Sequence, residues 1–144
     1  MGINERQQQI IDEFSAMADW EDRYKRIIEY GRKIAPMDDQ YKIDKNKVKG
    51  CQSTVWLHAQ LNDGVVQYQG DSDAMIVRGL IALLLKVYSG AAPAEFVATP
   101  PSFVDATGLA GHLSQTRANG LAAMVKQIKM YAAVFQAMQK SGQG

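Results

Sequence analysis

The chain has very little cysteine, with one thiol, Cys51, in 144 residues. A single thiol excludes an internal disulfide, a Cys-x-x-Cys redox pair and a zinc or iron–sulfur site built from the cysteines of one chain. What remains is a thiol that acts alone, as a nucleophile or a carrier, or an inert buried residue. Cys51 follows Gly50 and precedes Gln52 and Ser53, and this small, polar setting is not typical of an inert core position.

The sequence also lacks a long apolar run and a surplus of charge of one sign. Its longest apolar run covers only 80–85, whereas a membrane-spanning helix needs roughly 20 apolar residues. Sixteen basic and fifteen acidic side chains leave a formal net charge of +1, which argues against a general nucleic-acid binder. We therefore expect neither a membrane nor a nucleic acid among the partners.

The beginning of the chain shows no targeting pattern. It has no apolar signal region, and Arg6 stands where N-myristoylation requires Ser or Thr. Together with the unpaired cysteine, this predicts a reducing, cytoplasmic setting. The hydrophobic content of 47% over 144 residues predicts one folded domain over 1–144, with residues 1–3 and 141–144 frayed at its ends.

Helical periodicity is present in four segments of the sequence. Apolar residues recur at helical spacing over 4–18, 20–34, about 71–88, and from about 115 onward. The predicted caps are Asn4 for the first helix, Asp19 for the second, and Asp71 or Ser72 for the third. The third helix is apolar around most of its circumference, so we expect it to be the central buried element, lying on a sheet.

The residue pattern over 51–70 predicts a β-hairpin. Apolar and polar residues alternate through 54–61, and the Asp63-Gly64 pair suits a two-residue type I′ turn. This turn sets a register in which Leu61 faces Val66 and Ala59 faces Tyr68. Helices packed on a small antiparallel sheet make the predicted fold class α+β.

Odd- and even-numbered residues of a strand lie on opposite faces of the sheet, and this alternation also predicts the side on which Cys51 lies. It puts Cys51 on the apolar side, and we expect the thiol to be only partly exposed. It puts His58 on the opposite, polar side, which makes this histidine a poor candidate for a base. The register also pairs Trp56 with Asp71, so the start of the third helix and Cys51 should lie at the same end of the sheet.

Three motifs, in this order around the lone cysteine, resemble those of the SufE family of sulfur acceptors. They are Gly50-Cys51-Gln52-Ser53-x-Val55-Trp56-Leu57, Gly70-Asp71-Ser72-Asp73-Ala74-x-Ile76-Val77-x-Gly79-Leu80-Ile81-Ala82, and His112-Leu113-Ser114-x-x-Arg117-x-x-Gly120-Leu121-x-x-Met124. The resemblance spans roughly residues 8–135. It implies a SufE/IscU-like α+β fold, with helices packed on a small antiparallel sheet that contains the 51–70 hairpin.

The resemblance also implies a function. Cys51 would accept persulfide sulfur from a PLP-dependent cysteine desulfurase of the SufS type, stimulate that enzyme, and pass sulfur toward an iron–sulfur scaffold. One thiolate suffices to attack the outer sulfur of a persulfide. The chain would then be a substrate and activator of the desulfurase rather than a free-standing enzyme. It would need no metal or cofactor of its own, because pyridoxal phosphate belongs to the partner.

Six further residues are expected to support the thiol or bind the partner, and they are Gly50, Gln52, Ser53, Asp71, Asp73 and Arg117. Gly50 permits an unusual backbone angle and close approach by a partner. Gln52 and Ser53 would hydrogen-bond the persulfide or cap the strand end. The two aspartates stand at the predicted start of the third helix, where negative charge offsets the dipole. Arg117 is expected to pair with one of them or to contact the desulfurase.

Four lysines precede the cysteine, and they are Lys42, Lys45, Lys47 and Lys49. They would lower the pKa of the thiol, dock an acidic partner, or simply form a solvated loop. For His112 the sequence favours a capping or packing role over a chemical one.

Three other functions remain open from the sequence. An iron–sulfur scaffold needs several thiolate ligands, and one chain offers one. A thiol hydrolase or peroxide-reactive enzyme needs a base beside Cys51, and none is evident. A purely allosteric activator would keep its full effect on the desulfurase in the Cys51→Ser variant. Whether the chain forms a homodimer is also left open.

Overall fold

The computed structural model describes residues 2–142. Its elements in chain order are α1 (Ile3–Ser15), α2 (Trp20–Arg32), two single-turn 3₁₀ helices (Asp39–Tyr41 and Asp44–Asn46), β1 (Val55–Asn62), β2 (Val65–Ser72), α3 (Met75–Tyr88), α4 (Pro93–Ala98), α5 (Ser102–Ala106), α6 (Leu109–His112) and α7 (Gln115–Gly142). The helices pack against a two-stranded antiparallel sheet, so the predicted α+β class is confirmed.

The hairpin forms with the predicted register. Leu61 pairs with Val66, and Trp56 pairs with Asp71. The turn between the strands has positive φ at both of its central residues, 51° at Asp63 and 81° at Gly64, as a type I′ turn requires. The turn chemistry therefore determines which face of each strand meets the core.

α3 is the central buried helix, as predicted. It packs against β2 on one side and α2 on another, and it also contacts α1 and α7. Two glycines let α2 and α3 cross with their backbones in contact. A Cβ atom on Gly79 would lie 2.2 Å from the carbonyl oxygen of Ile27, and one on Gly31 would lie 2.8 Å from the nitrogen of Gly79.

The predicted cap of the second helix is confirmed, and that of the first is wrong. Asp19 accepts a hydrogen bond from the Glu21 amide at 2.9 Å and caps α2. Asn4 lies inside α1, whose N-cap is Gly2. A residue from another part of the chain takes the place of the local cap, because the amide of Ile3 donates to the carboxylate of Glu95 at 2.6 Å.

The predicted start of the third helix is also wrong. Asp71 and Ser72 belong to β2, and the N-cap of α3 is Ala74. The two residues stay in the strand because its pairing with β1 continues to the Val55–Ser72 pair. The Ser72 hydroxyl still accepts a hydrogen bond from the Ala74 amide at 3.2 Å, so it supports the turn into the helix from outside.

The ends of the chain fall partly outside the described residues. The expectation of frayed ends covers residues 1–3 and 141–144, of which residues 1, 143 and 144 lie outside the described part. Ile3 is buried at the start of α1, and α7 continues to Gly142. Within residues 2–142, no helix combines the length and the apolar character that crossing a membrane demands.

Candidate functional site

Cys51 lies in the segment between the second 3₁₀ helix and β1. Gly50 before it has a φ of 93°, in the left-handed region that favours glycine, as the sequence predicted. The thiol is half-buried, which confirms the predicted partial exposure. Its Sγ atom lies 3.7 Å from the carbonyl oxygen of Gly120 in α7, to which the thiol donates. The cysteine therefore rests against a helix that is distant in sequence.

The thiol lines a cavity of about 400 Å³, which is within the usual size range of small-ligand sites. Its lining combines polar and apolar residues, which are Cys51, Gln52, Ser53, Val77, Ser114, Thr116, Arg117, Gly120 and Met124. Val77 comes from the first turn of α3, so the start of that helix and Cys51 lie at the same end of the sheet, as the register predicted.

Gly120 is a site residue to which the sequence assigned no role. A Cβ atom at this position would lie 3.5 Å from the Sγ atom of Cys51, so the absence of a side chain leaves room around the sulfur. Arg117, Gly120 and Met124 are three and four residues apart on α7, which places them on one helix face. The sequence already showed this spacing, which indicates a shared helix face. It did not show that this face lies against the Cys51 thiol.

The surroundings of Cys51 do not activate it in this state. Burial raises the pKa of the Cys51 thiol above its ordinary value, and no lysine lowers it. The interpretation in which the preceding lysines acidify the thiol is therefore wrong for this structure. Two of them instead form ion pairs close by in sequence, Lys42 with Asp39 at 3.5 Å and Lys47 with Asp44 at 3.1 Å.

The raised pKa predicts slow alkylation of Cys51 at neutral pH. Since only the thiolate reacts, the rate with iodoacetamide should rise with pH to a midpoint above the value of about 8.5 typical of a free cysteine. The measurement is the rate of alkylation between neutral and alkaline pH, with a denatured sample as the reference. A midpoint below that of the denatured chain would show an activated thiol and contradict this description.

The two aspartates of the second motif have different surroundings, and neither pairs with Arg117. Asp71 pairs with Lys42 Nζ at 3.2 Å and with Arg78 Nε at 3.3 Å. Asp73 is exposed and accepts a hydrogen bond from the Thr54 amide at 3.1 Å. Asp71 thus ties the segment before the cysteine to β2, whereas Asp73 fixes the segment just after it.

Arg117 lies in the exposed first turn of α7 and lines the cavity with the thiol. Among residues 2–142, no carboxylate lies within 4.0 Å of its guanidinium. The predicted ion pair with Asp71 or Asp73 is therefore wrong, because the first is already held by two other cations and the second by a backbone amide. The guanidinium remains available to an anion that enters the cavity.

Neither histidine, both of them within the described residues, lines the cavity. His58 stacks on Tyr41 with ring centroids 3.8 Å apart, on the face of the sheet away from the core. His112 stacks on Trp20 at 3.8 Å, which confirms its packing role. In the part of the chain that the structure describes, no group of three or more His, Cys, Asp or Glu residues could hold a metal ion.

Comparison with known proteins gives consistent results. A family model named SufE, described as an Fe-S metabolism associated domain, matches residues 8–132. The chain is 44% identical over 135 residues to an uncharacterized SufE-like protein of Synechocystis sp., covering 94% of this chain and 85% of that protein. It is 42% identical over 129 residues to an uncharacterized SufE-like protein of Rhizobium meliloti, covering 86% and 92%.

A solved structure shares the fold. The solution structure of a hypothetical protein from Thermus thermophilus matches with a TM-score of 0.75 and covers 89% of this chain and 93% of that one. Its sequence identity of 23% limits the comparison to the fold.

Proposed function

Because the chain belongs to the SufE family, whose domain is associated with Fe–S metabolism, we propose that it is a sulfur carrier for a PLP-dependent cysteine desulfurase. Cys51 accepts persulfide sulfur from that enzyme and passes it toward iron–sulfur cluster assembly. The observation that carries the proposal is the position of the only thiol, which lines a cavity of about 400 Å³ together with Arg117, an arginine without a carboxylate partner among residues 2–142.

The chemical step is an exchange between a thiol and a persulfide. The Cys51 thiolate attacks the outer sulfur of the donor persulfide, a new bond forms between Sγ and that sulfur, and the bond to the donor's own sulfur breaks. The donor leaves as a thiolate and takes up the proton that Cys51 lost. No electrons are gained or lost overall, so the step needs neither an oxidant nor a metal.

The resting geometry favours a carrier that reacts only when docked. The half-buried thiol with a raised pKa is protected from unspecific oxidants and alkylating agents. Gly50 on one side and the Asp73–Thr54 hydrogen bond on the other bound the short segment that carries the thiol. We propose that docking of the desulfurase turns this segment, so that Sγ leaves the Gly120 carbonyl and faces the donor.

Five of the residues predicted to support the thiol fall into three groups by their surroundings. Gln52 and Arg117 are exposed and line the cavity with the thiol, and Asp73 is exposed beside Thr54. We assign all three to contact with the desulfurase. Asp71 is held in two ion pairs, and we assign it to holding the segment before the cysteine. Ser53 lines the cavity beside Cys51, where its hydroxyl can donate to a persulfide anion.

The experiment that tests the proposal follows sulfur directly. The chain is incubated under anaerobic conditions with a cysteine desulfurase that binds it and L-cysteine carrying a sulfur radiolabel. We expect label on the chain that survives a non-reducing gel and is released by dithiothreitol. Demonstrated binding without transfer of label would reject the carrier function.

Arg117 is expected to contribute to this transfer. An anion beside a guanidinium is stabilised by a charge-assisted hydrogen bond, so Arg117→Gln should slow labelling of Cys51 by about tenfold, equivalent to about 1.4 kcal/mol. Lys126→Gln is the matched control, because this lysine also lies exposed on α7 but does not line the cavity. Equal slowing in both variants would mean that only the net charge matters.

Two alternative functions, a cluster scaffold and a thiol hydrolase, are less consistent with this site. A cluster scaffold would show visible absorbance after anaerobic reconstitution with iron and sulfide, and we expect none from a chain with one thiol. A thiol hydrolase would need a base beside Cys51, and neither histidine lines the cavity.

A further inference from the structure

The C-terminal half of α7 exposes a stripe of apolar side chains. Met130, Val134 and Met138 are 53%, 56% and 55% exposed. Residues spaced four apart lie on one face of a helix and form a ridge along it. The buried face of α7 is a different one, formed by Leu121, Met124, Ile128 and Ala132. The exposed stripe therefore serves no packing role within residues 2–142.

Charge of one sign flanks this stripe. The whole of α7 contains no acidic residue. At about 100° per residue, Lys126, Lys129 and Lys140 lie along one side of Met130, whereas Val134 and Met138 lie on its other side. All three lysines are exposed, and among residues 2–142 none has a carboxylate within 4.0 Å. The face thus combines an apolar ridge with a basic edge.

We propose that this face, formed by the stripe and the three lysines, docks an amphipathic helix of a partner protein that carries acidic residues along one edge. An i, i+4 ridge packs into the groove between the ridges of another helix. Exposed methionines adapt to varied apolar partners. Complementary charge on the partner's edge would set its orientation and speed its association.

The docking face is separate from the thiol cavity. Met130 is ten residues beyond Gly120 along α7, and Met138 is eighteen, which at 1.5 Å per residue places them ~15 Å and ~27 Å away along the helix axis. A partner bound to the face would therefore leave the mouth of the cavity open. This inference extends the proposed function. One partner protein would stay bound to the face while a second protein delivers sulfur to Cys51 or takes it away.

The charge of the face argues against a second copy of the chain as its occupant, and its apolar side chains argue against a lipid surface. A second copy of α7 would bring lysines against lysines, and like charges on paired helices repel. An anionic lipid surface attracts lysines, but the helices that insert into it usually carry Trp, Phe or Leu on the apolar face. The apolar side chains of this face are Met and Val instead.

The test uses the full chain and a synthetic helical peptide with a leucine stripe and glutamates along one edge. Binding is measured by fluorescence anisotropy, and the contacted amides are mapped by NMR. We expect the peptide to bind, to weaken as salt is added, and to shift amides of 126–140. Replacing Met130, Val134 and Met138 together by glutamine should weaken binding tenfold or more, and the Cys51→Ser variant should bind like the native chain. Met75→Gln, at a position 59% exposed on α3, is the matched control.

Several outcomes would overturn the proposal. They are no binding of the peptide, equal binding of a peptide with the same composition in scrambled order, and unchanged binding by the triple glutamine variant. Binding of phosphatidylglycerol vesicles without binding of the peptide would assign the face to a lipid surface. Self-association in sedimentation velocity that the triple variant abolishes would assign it to a second copy. Because the Cys51→Ser variant keeps the face, these results are independent of the proposed sulfur transfer.

Discussion

Replacing Cys51 by serine is expected to reduce the activity of a stimulated cysteine desulfurase to its unstimulated level. The carrier accelerates the enzyme by removing its persulfide sulfur, and a hydroxyl cannot form the Sγ–S bond that this removal requires. The substitution is nearly isosteric at a half-buried position, so the chain should stay folded and still bind. The measurement is steady-state formation of alanine from L-cysteine, with binding followed separately by calorimetry.

A neighbouring substitution supplies the control for this experiment. Thr116→Ala changes an exposed side chain that lines the same cavity but has no assigned role in the transfer, and it should preserve most of the stimulation. If Cys51→Ser stimulated the desulfurase as well as the native chain, the chain would act as an allosteric activator and not as a carrier.

The largest loss of stability is expected from Gly79→Ala. The new Cβ atom would lie 2.2 Å from the carbonyl oxygen and 2.7 Å from the carbonyl carbon of Ile27, which are backbone atoms inside α2 that cannot yield without moving the helix. We expect the free energy of unfolding to fall by about 3 kcal/mol. This outweighs the gain of about 1 kcal/mol that alanine normally brings to a helix.

Urea denaturation measures this effect, and another glycine provides the control. Gly111 lies in α6 with no atom within 4 Å of where its Cβ would be, so Gly111→Ala should leave the midpoint unchanged or raise it slightly. An unchanged midpoint for Gly79→Ala would mean that α2 and α3 separate at little cost, and the close crossing would then not be important for stability.

Local sequence signals predicted the hairpin because its determinants are local. Asp63 and Gly64 favour the turn that sets the register, and alternation shows which face meets the core. The cap of α1 was mispredicted for the opposite reason, because the partner of the Ile3 amide is Glu95, a long-range contact that leaves no trace in the local pattern. The cap of α3 was mispredicted because the pairing of the strands, in the predicted register, continues to Val55 and Ser72 and keeps Asp71 and Ser72 in β2.

The candidate site shows the same division. The rarity of cysteine identified Cys51, and the glycine before it indicated the unusual backbone angle. The charged residues could not be assigned from the sequence, because each cation could reach several acids. Only tertiary placement shows that Asp71 is held by Lys42 and Arg78, which leaves Arg117 beside the thiol.

The most direct test of the central claim is the intact mass of the chain after anaerobic incubation with a cysteine desulfurase and L-cysteine. We expect a gain of one sulfur, ~32 Da, as attack by one thiolate on a persulfide requires. The gain should be reversed by dithiothreitol and absent from the Cys51→Ser variant. A chain that binds the desulfurase but gains no mass, or a Cys51→Ser variant that gains the same mass, would contradict the assignment of Cys51 as the sulfur acceptor.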